Sequence, residues 1–294
     1  MANSFVDSPV SFSCGNNLLQ GVISEPQKSF DTAVIIVVGG PQFRVGSHRQ
    51  FVLLARYLAN HGVLALRFDY TGMGYSDGQP KKFYQVDQDI HVATTFIAEK
   101  FPQIQKIFLW GLCDAASAIL FTAYTDPRVD GIVIANPWVR SDASHTEAVL
   151  KNYYRDRVFS WDVWKQLLSS PSKIFNAMIS LSNVCLKVVM NFFRSSNSGG
   201  QSIDEITQND RQNNLAVSVL TGMSRFKGPI CLLLSEKDLT ADEFRRVFES
   251  SDWLQDAENE KKITIHHLDG VDHTFSSVAW RAQVEQITKD FVCA

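Results

Sequence analysis

The segment that decides the fold is "KIFLWGLCDAASAIL", residues 106–120, in which an apolar run leads directly into an alanine-rich helix former. The small residues Gly111 and Ala115 stand two positions before and two positions after Cys113. Small residues flank a nucleophile elbow, a sharp strand-to-helix turn, because backbones pass close to each other there. The pattern predicts that Cys113 is a nucleophile at such a turn. The alternative is a buried core thiol.

A second segment, "GYSDG" at residues 74–78, fits the G-x-S-x-G pattern of serine hydrolases at every position. Its context is different, because the preceding strand ends near Tyr70 and the following residues include Gly78 and Pro80, which do not begin a helix. These glycines favour a wide loop. We therefore predict that Ser76 lies in a loop and that Cys113 carries the chemistry.

Strand and helix patterns alternate over most of the chain. The runs "VSFSC" and "LLQGVIS" around "GNN" predict an opening hairpin, and six further strands are expected at 33–38, 63–70, 106–110, 131–136, 229–235 and 262–269. Helices are predicted at 47–60, 85–101, 114–125, from about 240, and at 275–292, with capping boxes at Ser47/Gln50 and Thr240/Glu243. Apolar strands alternating with helices predict an α/β fold with an eight-stranded, mostly parallel sheet covered on both faces.

The alternation is interrupted at residues 138–228, which are helical in pattern and rich in aromatic residues. We expect a core of residues 1–137 and 229–294, with a helical cap inserted above the carboxyl ends of the strands, where open α/β sheets bind ligands. The longest apolar stretch, 174–193, has polar residues at three- and four-residue steps. It predicts an amphipathic helix and no membrane span.

The predicted thiol nucleophile needs a base and an acid that orients it. Asp238 follows a predicted strand, and His273 lies in the loop after the last strand. The order nucleophile, acid, histidine is that of α/β hydrolases. His266 and His267 fall inside a strand and are expected to be structural. The alternative acids are Asp242, in the first turn of a helix, and Asp272, next to the histidine.

Acyl transfer at the cysteine also needs two backbone donors for the oxyanion. One is predicted to be the Asp114 N–H, and the other comes from the loop after the third strand. Gly40 is the first candidate there and Gln42 the next, because Pro41 has no N–H. The helix N-terminus and the imidazole favour a thiolate at Cys113, which the carboxylate of Asp114 partly opposes.

Three further side chains are predicted to contact substrate, namely Arg44, Arg140 and Trp138. An arginine fork at a strand end can hold a carboxylate or a phosphate. The alternative is structural: the arginines pair with nearby acids such as Asp142, or tie the cap to the sheet.

Composition narrows the classes of partner. The chain has 294 residues, of which 45% are hydrophobic, so it can bury a large core. A net charge of -3 with scattered Lys and Arg makes nucleic acid an unexpected partner. The first residues have neither a basic nor an apolar signal segment, and the odd number of cysteines, five, predicts reduced thiols. We expect a cytoplasmic protein without a metal or cofactor.

The segments "VGGPQFRVGSHRQFVLLAR" (38–56), "RFDYTGMGYSDG" (67–78), "LWGLCDAASA" (109–118) and "NPWVR" (136–140) together resemble the first of two hydrolase groups associated with exosortase A systems, within the α/β-hydrolase superfamily. The resemblance is close over most of the first 155 residues and extends more loosely through the later strand, acid and histidine segments. It implies a bacterial setting with exopolysaccharide production, and it supplies no substrate. The elbow cysteine is similar to that of dienelactone hydrolases. Departures from the commonest superfamily pattern are cysteine for serine, Ala115 for the second glycine, and Val38-Gly39 where His-Gly is frequent.

The function predicted from these features is hydrolysis of a small-molecule ester or thioester through an acyl-enzyme on Cys113. His273 serves as general base and then acid, and Asp238 orients it. Two alternatives stay open: an acyltransferase that passes the same acyl group to a sugar hydroxyl, and a non-catalytic binding protein that keeps the fold.

Overall fold

The computed structural model describes residues 4–40, 42–140, 211, 214–251 and 262–294. In these ranges, eight strands form one sheet in the order β1-β2-β4-β3-β5-β6-β7-β8. Their bounds are β1 Phe5–Cys14, β2 Asn17–Pro26, β3 Thr32–Val37, β4 Leu64–Asp69, β5 Lys106–Leu112, β6 Val129–Ala135, β7 Ile230–Lys237 and β8 Ile263–Asp272. The opening hairpin is antiparallel, and β2 is antiparallel to β4, whereas all other neighbours are parallel.

Six α-helices accompany the sheet in the described ranges: α1 Gln50–Asn60, α2 Asp87–Lys100, α3 Asp114–Thr122, α4 Leu215–Arg225, α5 Leu239–Glu249 and α6 Val278–Val292. Three 3₁₀ turns lie at Ser47–Arg49, Phe83–Gln85 and Ala123–Thr125. Apolar side chains of α2, α3, α4 and α5 pack on one face of the sheet, and those of α1 and α6 pack on the other.

The central strand β3 explains why the apolar runs are continuous. All six of its residues are buried, with Ile35 and Val37 in one core cluster and Val34 and Ile36 in the other. A strand covered on both faces has no solvent side, so its sequence does not alternate. The predicted fold class, an eight-stranded and mostly parallel sheet with helices on both faces, is confirmed.

Two predicted helix starts are wrong in detail. Helix α1 begins at Gln50 after a 3₁₀ turn, and no side chain caps it. Helix α5 begins after Asp238, whose carboxylate accepts the N–H groups of Thr240 and Ala241, so Asp238 and not Thr240 is the cap. A carboxylate at this position satisfies two N–H groups that have no partner inside the helix.

Most of the predicted insertion, 138–228, and all of the predicted amphipathic helix, 174–193, lie outside the described residues. Within the predicted insertion, α4 packs against α3. A Cβ on Gly222 would lie 2.0 Å from the Leu120 carbonyl oxygen, so the close approach of the two helices requires glycine.

Met1–Arg140 and Thr207–Ala294 together form one compact unit. In the ranges that the structure describes, no helix is both long enough and apolar enough to cross a membrane.

Candidate active site

Cys113 lies at the turn between β5 and α3 with a strained backbone. Its φ of 62° and ψ of -124° fall in a region that side-chain-bearing residues rarely occupy. The turn is held by a bond from the Cys113 N–H to the carbonyl of Ala135, 2.9 Å away on β6. A Cβ on Gly111 would lie 2.9 Å from the Ala115 backbone, so the flanking glycine leaves room for the helix. The half-buried thiol is therefore held at the carboxyl end of the sheet.

The imidazole of His273 is bonded to Asp238, and Cys113 acts electrostatically on the same ring. His273 Nδ1 lies 2.8 Å from Oδ2 of Asp238, across the ends of β7 and β8. The Asp238 carboxylate, and after it the Cys113 thiol, raise the pKa of His273 to about 10. Together the effects of Asp238 and Cys113 outweigh burial, which acts in the opposite direction. The three residues predicted as nucleophile, acid and histidine are thus neighbours in space.

Asn136 is a residue that the sequence argument missed. It follows β6, has a φ of 44° and is completely buried. Its amide donates to Ser235 Oγ at 3.0 Å and to the His273 carbonyl at 3.3 Å, and its oxygen accepts the Ser235 N–H at 2.9 Å. Asn136 therefore ties the end of β7 to the loop that carries the histidine. The signal in the sequence is a single polar residue at the end of "GIVIAN".

The alternative acids make other contacts, and the alternative histidines lie within a strand. Asp272 accepts the N–H groups of Thr274 and Ser276 and the Ser276 hydroxyl, and these bonds lower its pKa although burial alone would raise it. Asp242 forms an ion pair with Arg245 on the same helix. His266 and His267 lie on the edge strand β8, and burial lowers the pKa of His266.

Ser76 lies in the loop after β4. Its hydroxyl accepts the Gln20 N–H at 2.9 Å and donates to the carbonyl oxygen of Asp69. Gly74, with a φ of 53°, allows the loop to pass the Asp69 carboxylate, because a Cβ there would lie 2.3 Å from it. These contacts give Ser76 a structural role between β2 and β4.

The two backbone donors predicted for the oxyanion lie beside the carboxylate of Asp114. The Gly40 N–H donates to Oδ2 of Asp114 at 2.8 Å. Burial raises the pKa of Asp114, while the N–H groups of Gly40, Ala115 and Asp114 itself act in the opposite direction. The second candidate in the loop, Gln42, accepts the Ser47 N–H through its side-chain oxygen at 3.3 Å. In this structure the Gly40 N–H is therefore occupied by a side chain of the protein.

The arginines predicted to bind substrate are both paired with acids. Arg44 forms an ion pair with the fully buried Asp69, which also accepts the Arg44 N–H at 2.6 Å. Arg140 forms a two-bond ion pair with Glu243 on α5, and its guanidinium lies 5.3 Å from the Trp138 ring. These contacts favour the structural interpretation. The partner of Arg140 is Glu243, whereas the predicted partner Asp142 lies outside the described residues.

The indole N–H of Trp138 donates to the Arg140 carbonyl at 2.8 Å, and the Trp138 N–H donates to the Cys113 carbonyl at 3.2 Å. Trp138 thus anchors the chain beside the elbow. Among the described residues, no three or more His, Cys, Asp or Glu side chains are grouped so that they could hold a metal ion.

The sheet order, the strained turn after β5 and the histidine after β8 define an α/β hydrolase. The chain belongs to the serine aminopeptidase S33 family, which matches residues 31–276. It is an enzyme of the α/β-hydrolase class, with a cysteine at the elbow.

Curated relatives match only in part. The chain is 29% identical over 116 residues to the polyketide transferase grgF of Penicillium sp, and 31% identical over 88 residues to the acyltransferase drtE of Aspergillus calidoustus. These matches cover 37% and 29% of this chain and 39% and 29% of the relatives, so the chain spans well under half of their length.

Solved structures are similar over nearly the whole chain. An esterase of Pyrococcus furiosus has a TM-score of 0.64 at 14% identity, with 98% of this chain and 90% of that chain covered. The α/β hydrolase GrgF from Penicillium sp. sh18 has a TM-score of 0.61 at 18% identity, with 98% and 99% covered. At these identities the similarity shows the fold.

Proposed function

We propose that the protein hydrolyses a carboxylic ester or thioester through a covalent acyl-enzyme on Cys113. The observation that carries the proposal is the 2.8 Å contact between His273 Nδ1 and Asp238 Oδ2, with the Cys113 thiol on the same imidazole. Nucleophilic catalysis requires a nucleophile, a base within reach and an acid that orients the base, and we assign these roles to Cys113, His273 and Asp238.

In the acylation step, the Cys113 thiolate attacks the acyl carbon and an S–C bond forms. The tetrahedral oxyanion then collapses, the bond to the leaving alcohol or thiol breaks, and the His273 imidazolium supplies the proton that the leaving group takes. Asp238 keeps the ring oriented and favours its charged form. Its bond to Nδ1 leaves Nε2 as the nitrogen that serves the reacting atoms.

In the deacylation step, His273 must be neutral to accept a proton from water. Part of the rise in its pKa comes from Cys113, and an acylated sulfur has no negative charge and no proton to share. The pKa of His273 therefore falls once the acyl-enzyme forms. Water then attacks the acyl carbon, His273 takes the proton, and the sulfur leaves as the thiolate.

The experiment that tests the proposal is intact mass spectrometry after incubation with activated thioesters of several chain lengths. The unmodified protein and Ser76→Ala should both gain one acyl group, and Cys113→Ala should gain none. Ser76 is the matched control because it occupies the G-x-S-x-G pattern. An adduct that persists in Cys113→Ala, or no adduct in the unmodified protein, would overturn the proposal.

Acyl transfer to a hydroxyl group is a second candidate, favoured by the names of the two curated relatives, a polyketide transferase and an acyltransferase. The same acyl-enzyme would be attacked by an alcohol in place of water. The two functions differ in their products, so the turnover mixture is analysed with and without a polyol or sugar. Acylated polyol formed in preference to free acid identifies a transferase.

The resemblance to the exosortase A-associated group supports a further part of the proposal, a bacterial cytoplasmic enzyme that acts in exopolysaccharide or surface-protein chemistry. The four cysteines in the described ranges are free thiols, in agreement with a reducing compartment. A sugar-bearing acyl donor or acceptor that outperforms simple esters would support this assignment.

A further inference from the structure

The side chain of Asp114 occupies the place where the sequence predicts an oxyanion. The Gly40 N–H donates to Oδ2 at 2.8 Å, and the N–H groups of Ala115 and of Asp114 itself also stabilise the carboxylate. These include both backbone donors predicted for the oxyanion. The carboxylate of Asp114 is therefore an internal anion hydrogen-bonded to the loop N–H that is predicted to bind the oxyanion.

The loop after β3 is shaped to admit this carboxylate. A Cβ on Gly39 would lie 2.0 Å from Oδ1 of Asp114 and 2.8 Å from the Ala115 nitrogen, so any other residue at position 39 collides with the acid. Gly39 has no positive φ, which means that space and not backbone conformation requires the glycine. The absence of a Cβ at Gly39 thus provides the space that the Asp114 carboxylate occupies.

Asp114 has no paired arginine or lysine among the described residues, and Arg44 and Arg140 are paired with Asp69 and Glu243. His273 acts on Asp114 as a cation, and the charge of Asp114 contributes after burial to a raised pKa of the buried Tyr70. The site beside the nucleophile is consequently acidic.

We propose that Asp114 determines acyl specificity: it favours acyl groups that carry a hydrogen-bond donor, such as a hydroxyl, beside the scissile carbonyl, and it disfavours acyl groups that carry a carboxylate. The inference rests on the proposed acyl-enzyme function. An oxyanion at the Gly40 N–H displaces the Asp114 carboxylate from that donor, and a half-buried carboxylate that loses a donor destabilises the complex. A hydroxyl group on the acyl chain supplies the missing donor, whereas a second carboxylate adds repulsion.

The test compares three N-acetylcysteamine thioesters, those of butanoate, 3-hydroxybutanoate and succinate, on the unmodified protein, Asp114→Ala and Asp114→Asn. In the unmodified protein we expect kcat/KM for 3-hydroxybutanoyl to exceed that for butanoyl by about tenfold, equivalent to ~1.4 kcal/mol, with succinyl slowest. In Asp114→Ala the hydroxyl preference should fall to within about twofold of unity, and turnover of butanoyl should rise. Asp114→Asn keeps an acceptor oxygen without the charge, so it should accept succinyl while retaining part of the hydroxyl preference.

Asp272→Asn is the matched control. The Asp272 carboxylate accepts the Ser276 N–H in the turn that follows it, so its replacement should leave the kcat/KM ratios of the three thioesters unchanged. Unchanged ratios in Asp114→Ala, or loss of all turnover in a folded Asp114→Asn, would overturn the inference while the acyl-enzyme on Cys113 stands. Absence of any acyl adduct on the unmodified protein with all three thioesters would overturn the proposed function, and this inference with it.

Discussion

Replacing Asp238 by asparagine separates the two roles that its carboxylate has in the structure. It caps α5 by accepting the N–H groups of Thr240 and Ala241 at 3.1 and 3.3 Å, and it bonds His273 Nδ1 at 2.8 Å. Asparagine caps helices about as well as aspartate, so its amide oxygen can keep the first role. The amide carries no charge, so the second role is lost.

The expected loss of activity is large and the expected loss of stability is small. Replacing the acid of such a triad by asparagine lowers kcat by about 10⁴-fold, because the imidazole is then held in the wrong tautomer. The pKa of His273, now about 10, should fall toward the ~6.5 of a free histidine, since the Asp238 carboxylate is the largest cause of the rise. Asp238→Ala also removes the cap, so it should be less stable than Asp238→Asn by about 1 kcal/mol at a similar kcat.

The assay combines initial rates on an activated thioester, intact mass for the acyl adduct and urea unfolding for stability. Asp272→Asn is the control, because Asp272 lies beside the same histidine in sequence and its carboxylate is hydrogen-bonded to Thr274 and Ser276 in the turn that follows. Its kcat should stay within a few fold of the unmodified protein. A kcat for Asp238→Asn within tenfold of the parent, or an equal loss in Asp272→Asn, would refute the assignment.

Three other outcomes are expected. The pKa of His273 is raised to about 10, above its unfolded value of ~6.5, so its contribution to stability is full below pH ~6.5 and is lost as the pH rises toward 10. The free energy of unfolding, measured in urea, should therefore fall more over this pH range in the parent than in Asp238→Asn, and equal falls would contradict the argument. Arg140→Ala breaks the partly exposed pair with Glu243 and should lower Tm by about 1–3 °C while changing KM equally for acidic and neutral esters; a KM change confined to the acidic ester would instead indicate substrate binding. Gly222→Ala should cost about 1–3 kcal/mol in urea unfolding, because its Cβ meets the Leu120 carbonyl at 2.0 Å, and an unchanged midpoint would show that α4 can shift away from α3.

The sheet could be predicted from sequence because its central strands are covered on both faces. A strand such as β3, with every residue buried, leaves a continuous apolar run that needs no tertiary information to recognise. Helix starts depend on more than spacing. Ser47 and Gln50 have capping-box spacing, yet Arg49 with a φ of 60° precedes α1 and the buried Gln50 amide has no hydrogen-bond partner in the described structure. Local patterns predict the elements better than they predict their ends.

The proximity of His273 to Asp238 could be anticipated because parallel strands bring their carboxyl ends to the same edge, and both residues follow neighbouring strands. Asn136 could not be assigned in the same way. Its partners Ser235 and His273 stand 99 and 137 residues away, and nothing in a single sequence says which polar group a buried asparagine will meet. Its role depends on the strand order, which places β6 beside β7.

Asp114 shows why a motif assigns backbone positions more reliably than side-chain roles. The elbow pattern identifies the residue after the nucleophile by its N–H, and any residue type except proline supplies that group. The direction of the Asp114 side chain depends on a different segment, because its carboxylate fits beside the loop after β3 only where position 39 lacks a Cβ. Asp114 and Gly39 therefore depend on each other, although they lie in distant segments of the sequence. Exchanging Gly39 for alanine should displace the carboxylate and alter acyl preference in the same direction as Asp114→Ala, which makes the two positions a pair whose effects are not additive.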